Sequence, residues 1–466
     1  MAKFLIIFAV LHLGRGQLMD FLDPIAKVSR DIAGGIARNP FLSEATHVST
    51  NALAAAVTSV SWLPFAAANA FGAATIPSLS SITNNPDIVD RLVLDLSHLS
   101  QNEDAKLSID MILSKYGLPV EIHEVETEDG FILTLYRIPG NGTAVFLMHG
   151  LLGSADDFVV AGRDSALAYL LAEEGYDVWL GNARGSKHSR RHINLEPYQA
   201  EFWDFSWHEI GVYDLPAMID YVLNETGYEG LKYIGHSQGT TSFFVMASER
   251  PEYNEKIGLM VALSPVAFMS NARSPIVRLI APGTSLIHGF AKSLGVYEFL
   301  PDNNMIRTLK LLICGTGVLA ELLCSNTLFL TAGFDLQQLN ITNLSTIFGH
   351  VPSGASIKQI AHYGQSFISN EFRQFDYGRS GNLKRYGQME PPKYELKRIV
   401  APVSLFFSES DWLAHPADVD RLSKALGNVV DIYKVPFKQF NHLDFFLAKD
   451  VKELVYNRLL KVLSSF

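Results

Sequence analysis

The stretch Lys232-Tyr233-Ile234-Gly235-His236-Ser237-Gln238-Gly239-Thr240-Thr241 decides how this chain is read. It begins as a short apolar run, passes through Gly-x-Ser-x-Gly, and continues with helical spacing from Thr240 to Ser248. A strand that turns directly into a helix leaves no room for side chains at the two ends of the turn, so both are glycine. The serine between them takes a strained backbone conformation that lifts its Oγ above the sheet edge. Ser237 is therefore the candidate nucleophile. A glycine-flanked surface turn is the plain alternative, and the strand before and helix after argue against it.

Outward from this turn, strand and helix patterns alternate. Val120 to Ile138 alternates polar and apolar residues around Glu128-Asp129-Gly130, the signature of a hairpin. Ala144 to Met148 is an unbroken apolar run ending at His149-Gly150, as expected of a strand buried on both faces. Ala166 to Glu174 has helical spacing, Tyr176 to Leu180 reads as a strand, and Pro216 to Leu223 is helical toward Gly227. Ile257 to Leu263, Pro402 to Phe407 and Val429 to Val435 supply three more strands, and an amphipathic stretch from Val451 to Leu463 closes the chain. The pattern predicts an α/β fold with a mostly parallel sheet flanked by helices. Residues 266–396 break the alternation; rich in Leu, Ile and Phe, they read as a mainly helical cap or lid insertion. The core then falls in two parts, 85–265 and 397–466.

A serine nucleophile needs a base, and the base needs an orienting carboxylate. In a sheet of this kind the chain order is Ser, acid, His. Of the 14 histidines, only His442 lies beyond the last strand, in Phe440-Asn441-His442-Leu443-Asp444. Asp411 follows the Pro402–Phe407 strand, at the carboxyl edge where active sites of open α/β sheets gather. Glu409 is the alternative acid two residues away, while Asp418 and Asp420 read as helix residues pointing elsewhere. The oxyanion of a tetrahedral intermediate requires pre-aimed N–H donors. Those expected are the backbone amides of Gln238, at the start of the helix after the nucleophile, and Leu151, in His149-Gly150-Leu151-Leu152-Gly153. His149 reads as a structural hydrogen-bonding residue.

With a net charge of −10 and no basic run, the chain has no electrostatic footprint for nucleic acid. Met1 to Gly16 reads as a signal peptide: one Lys, an apolar run, then small residues. The run is too short to span a bilayer, which takes roughly twenty apolar residues; a buried N-terminal helix is the alternative. The sequons at Asn141, Asn224, Asn340 and Asn343 point to glycosylation on a secretory route, secreted or lysosomal. Residues 17–84, with an Ala-rich stretch, show no sustained period and read as a poorly ordered or propeptide-like extension. Cys314 and Cys324 are close enough for one local disulfide, with two buried thiols as the alternative. Neither has a His partner at hand, so neither a Cys nucleophile nor a zinc site is expected.

Four segments together resemble the acid lipases, the gastric and lysosomal acid lipases and their insect relatives: His149-Gly-Leu-Leu-Gly153, Trp179-Leu-Gly-Asn-Ala-Arg-Gly185, Gly235-His-Ser-Gln-Gly-Thr-Thr241 and Asn441-His-Leu-Asp-Phe445. The resemblance covers residues 85 to 466, with Leu322-Leu-Cys-Ser-Asn326 and Gly333-Phe-Asp335 matching in the insertion. It implies an α/β-hydrolase fold, hydrolysis of triacylglycerols or cholesteryl esters, a triad falling on Ser237, Asp411 and His442, a disulfide falling on Cys314–Cys324, and no cofactor or metal. The chain departs from the pattern in its Ala-rich extension and in Arg190-Arg191-His192.

The apolar insertion suits an acyl tunnel under a lid that moves at a lipid interface, although the same residues would also build the insertion's own core. The expectation is a monomeric serine lipase acting through an acyl-enzyme on long-chain esters. It would meet neutral lipid at a lipid–water interface, with transient membrane or lipid-droplet contact. A lipid-binding protein on the same fold would not need the three side chains; an acyltransferase would use the same three and differ only in the second nucleophile.

Overall fold

The structure is a computed structural model that describes residues 103–300 and 331–466, apart from Phe334, Leu336, Ile341 and Thr342. The expected leader, the extension up to residue 84 and both cysteines lie outside the described residues.

The sheet is built from β1 (Glu121–Glu126), β2 (Phe131–Ile138), β3 (Ala144–Met148), β4 (Asp177–Gly181), β5 (Leu231–His236), β6 (Ile257–Leu263), β7 (Val403–Phe407) and β8 (Val429–Lys434). Its spatial order is β1-β2-β4-β3-β5-β6-β7-β8, with the two-residue strand Arg191–His192 paired to β2. β1 and β2 form the expected antiparallel hairpin, β2 meets β4 antiparallel, and every pairing from β4 to β8 is parallel. The central strands β3, β4 and β5 are buried along their whole length, which is why they read as apolar runs with little alternation.

Helices cover both faces. Val145 and Leu147 of β3 point into one core layer with α1 (Ile109–Lys115), α2 (Leu167–Glu173) and the C-terminal α11 (Asn457–Leu463). Ala144, Phe146 and Met148 point into the other, against α3 (Leu215–Thr226), α4 (Gln238–Glu249) and α10 (Pro416–Ala425). The helical pattern read from Val451 is interrupted by a π-type turn over Lys452–Tyr456 before α11 begins. α3 carries Pro216 in its first turn and stops at Gly227, whose φ of 71° is the left-handed geometry a C-terminal glycine supplies.

Between β6 and β7 the described residues form α5 (Pro275–Ile280), α6 (Thr284–Ser293), α7 (Leu344–His350), α8 (Ile357–Ser369) and α9 (Gly378–Tyr386). A two-stranded ribbon pairs Glu298–Phe299 with Ala355–Ser356. One buried charge cluster ties this insertion to the core. Asp156 accepts from Lys187, from His188 Nε2 at 2.6 Å and from His350 Nδ1 at 2.5 Å, and Lys187 Nζ also donates to the His350 carbonyl at 3.0 Å. Burial would raise the Asp156 carboxyl, but the charges of Lys187 and His188 hold it well below the usual range.

Candidate active site

The carboxyl edge of the parallel sheet collects the residues singled out above. β5 ends at His236 and Ser237 caps the N-terminus of α4 with φ 51° and ψ −115°, a strained conformation for a residue with a side chain. The flanking glycines are required by contact. A Cβ on Gly235 would lie 2.8 Å from the Gly239 carbonyl carbon, and a Cβ on Gly239 would collide with the Met148 carbonyl oxygen at the end of β3.

His442 Nε2 lies 2.7 Å from Ser237 Oγ, and His442 Nδ1 lies 3.0 Å from both carboxylate oxygens of Asp411. Asp411 is completely buried. Burial alone would raise its carboxyl; the His442 charge and hydrogen bonds from His442, Ser264 and the Leu413 amide outweigh it and hold the group below its ordinary value. Its Oδ1 also accepts from the Leu413 and Ala414 amides, each at 2.8 Å. An ionised Asp411 can only accept, so Nδ1 of His442 carries the proton and Nε2 is free to accept from Ser237. Glu409, the alternative acid, is turned to solvent and bonds Lys434 Nζ at 2.8 Å. Asp418 sits in α10, where it accepts from the Asn271 amide at 2.9 Å.

The loop that presents His442 is shaped by its neighbours in sequence. The Asn441 side chain accepts from the Leu443 amide at 2.8 Å, and the Asp444 carboxyl accepts from the Asn441 amide at 2.7 Å. The His442 amide reaches the Ala332 carbonyl, so a segment of the insertion packs directly on this loop.

After β3, Gly150 lies so close to Ser237 that an added Cβ would sit 3.1 Å from the serine Cβ. Leu151 is the residue after Gly150 in this loop, and Gln238 opens α4 immediately after Ser237. His149 stands apart from the chemistry: its Nε2 accepts from the Ala183 amide at 3.0 Å, and burial pushes its ring down to about 4. The Arg184 of Asn-Ala-Arg-Gly is likewise structural, held by Asp214 and by Asp129 of the β1–β2 turn. In the Arg190-Arg191-His192 tail, Arg190 pairs with Glu298 of the insertion and Arg191 with Glu124 of β1.

Two side chains at the site escaped the sequence reading. His236 Nε2 donates to the His442 carbonyl at 2.9 Å, and burial pushes its ring down to about 3, so it stays neutral. Ser264 follows β6 directly; its Oγ lies 2.5 Å from Asp411 Oδ2 and 2.6 Å from His442 Nδ1. The only local hint is position, since His236 is the last residue of one buried strand and Ser264 the first after another.

Among the sequons, Asn141 and Asn224 are exposed, while Asn340 and Asn343 are half-buried and Asn343 donates to the Val160 carbonyl.

Comparison with known proteins adds independent findings. The chain matches the model of the α/β hydrolase fold over residues 143–283 and that of the partial α/β-hydrolase lipase region over 109–162. It is 44% identical to Lipase 1 of Drosophila melanogaster over 366 residues, covering 78% of this chain and 80% of the relative. It is 38% identical to the gastric triacylglycerol lipase of Rattus norvegicus, covering 78% and 93%, and 37% identical to the human lysosomal acid lipase/cholesteryl ester hydrolase, covering 78% and 92%. A solved structure from Sulfolobus solfataricus superposes with a TM-score of 0.50 at 16% identity, covering 74% of this chain and 94% of the other; it supports the fold alone.

Proposed function

This chain belongs to the acid lipase family of the α/β-hydrolase fold and is a carboxylic ester hydrolase, and from that membership we propose that it cleaves long-chain fatty acyl esters, triacylglycerols or cholesteryl esters, through an acyl-enzyme on Ser237. The observation that carries the reading is the hydrogen-bonded line from Ser237 Oγ through His442 to Asp411 along one sheet edge.

His442 takes the Ser237 proton as Oγ attacks the ester carbonyl, and the Asp411 carboxylate stabilises the imidazolium. The amides of Leu151 and Gln238 face the developing oxyanion, each worth roughly 3 kcal/mol of barrier in comparable sites. The alcohol departs with the proton held on His442. Water then attacks the acyl-enzyme with His442 again as base, returning Ser237 and releasing the fatty acid.

We read the protein as a monomer that enters the secretory route and works at a lipid–water interface. Support comes from the exposed sequons at Asn141 and Asn224, and from Phe290, Leu294 and Val296, which stand exposed on and after α6. Hydrolysis of emulsified triolein and cholesteryl oleate, with Ser237→Ala as control, tests the reading. Activity confined to short soluble esters overturns the substrate class, and activity retained by Ser237→Ala overturns the mechanism.

A further inference from the structure

Three parallel strands deliver the triad to this edge, β5 Ser237, β7 Asp411 and β8 His442, and the end of β6 adds Ser264. β6 lies between β5, which delivers Ser237, and β7, which delivers Asp411, so the first residue past β6 faces the gap between nucleophile and acid. The Ser264 amide donates to the Phe406 carbonyl at 2.8 Å, continuing the pairing to β7, and the Ser237 amide donates to the Leu263 carbonyl at 3.1 Å. These two bonds hold Ser264 between its neighbours. Its side chain is completely buried.

We infer that Ser264 is a fourth member of the catalytic relay, a positioning residue whose hydroxyl accepts the Nδ1–H of His442 and donates its own proton to Asp411. The inference rests on the triad reading above. The donor count leaves one consistent arrangement: Asp411 is ionised and can only accept, so the Ser264 O–H points to Oδ2 across 2.5 Å. The Oγ lone pairs then face Nδ1 across 2.6 Å, closer than either carboxylate oxygen at 3.0 Å. The hydroxyl dipole thus turns its negative end to the ring and its positive end to the carboxylate, and it locks the tautomer that leaves Nε2 able to accept from Ser237. It lies on the Nδ1 side, away from Ser237, and is no competing nucleophile.

The backbone supplies a second observation. Ser264 has φ 53°, in the left-handed region where glycine is unstrained and a side chain costs about 1 kcal/mol. A serine held there, with its hydroxyl spent entirely on Asp411 and His442, keeps a group that the easier glycine would lack.

Ser264→Ala removes the hydroxyl at constant backbone cost, and Ser264→Gly removes it while relieving the strained φ, so at least the glycine variant retains the fold. Both are compared with the unmodified chain for kcat and KM on p-nitrophenyl butyrate across pH, and for fluorophosphonate labelling at Ser237. The expected result is a fall in kcat of about ten-fold in both variants with KM within about two-fold. The acid limb of the kcat/KM profile moves to lower pH, because the nearest acceptor stabilising the imidazolium is gone. Unchanged kcat, or a fall in kcat with the acid limb in place or moved upward, overturns the role of Ser264. Failure of the unmodified chain to take label overturns the triad reading and this inference together.

Discussion

Nε2 of His442 lies 2.7 Å from Oγ of Ser237 across 205 residues of chain, at the ends of two strands that do not touch each other. The contact exists because β5 and β8 run parallel and both deliver their following loops to one edge. On the far side of the ring, Asp411 sets the tautomer. Asp411→Asn can present its amide to Nδ1 and favours the wrong tautomer, so kcat should fall by about three to four orders of magnitude. Glu409→Gln breaks only an exposed pair with Lys434 and should leave kcat within about two-fold. Steady-state kinetics on both variants check this; a large loss at Glu409 with little at Asp411 would reassign the acid.

The turn around the nucleophile leaves no room for one methyl group. Gly239→Ala places a Cβ against the Met148 carbonyl, and backbone cannot give way as a flexible side chain can. We expect soluble yield and Tm to drop together, with any folded fraction showing kcat at least about ten-fold lower because Ser237 shifts with the turn. Wild-type Tm and kcat in Gly239→Ala would contradict the packing described.

Asp157 gives a pH dependence with a definite sign. Burial, then the charge of Asp156, pushes its carboxyl from 3.8 up to about 8. A folded-state value above the unfolded one means the fold prefers the protonated form: the stabilisation is complete below pH 3.8 and is lost as pH rises toward about 8. Asp444 acts in the same sense, raised by burial and by the charge of Asp335. Asp157→Asn fixes the neutral form, so its Tm should match the parent at pH 4 and exceed it by roughly 3 °C or more at pH 8.5. Thermal melts at the two pH values decide it, and a variant less stable than the parent at pH 8.5 refutes the assignment.

Asp156 accepts from three side chains, two of which, Lys187 and His350, lie at the junction with the insertion. Asp156→Ala leaves the buried Lys187 ammonium without its carboxylate, a loss of about 3 kcal/mol or more by the cost of orphaned buried charges. The insertion around α7 should loosen first, seen as new protease cleavage near 344–353 and a lower Tm. An unaltered digestion pattern would show that the cluster does not hold this junction.

What the chain determined by itself was everything written in consecutive residues. Gly235 to Gly239 specified the turn, since a Cβ on Gly235 would meet Gly239 itself, whereas the clash that Gly239 avoids, with Met148 of β3, belongs to the tertiary structure. The apolar runs at Ala144–Met148 and Ile257–Leu263 announced buried parallel strands, and Asn441 to Asp444 carried the hydrogen-bonding pattern of the His442 loop. The choice of Asp411 over Glu409 came from its place after a strand, and the structure separates the two by burial, one sealed under the sheet edge and the other in solvent. Tertiary structure alone decided which strand ends are neighbours. Nothing near Ser264 in sequence says that β6 lies between β5 and β7, and nothing near Asp156 says that Lys187 and His350 converge on it. Strand order is the outcome of burying two sheet faces at once, a global packing condition that no short window of residues contains.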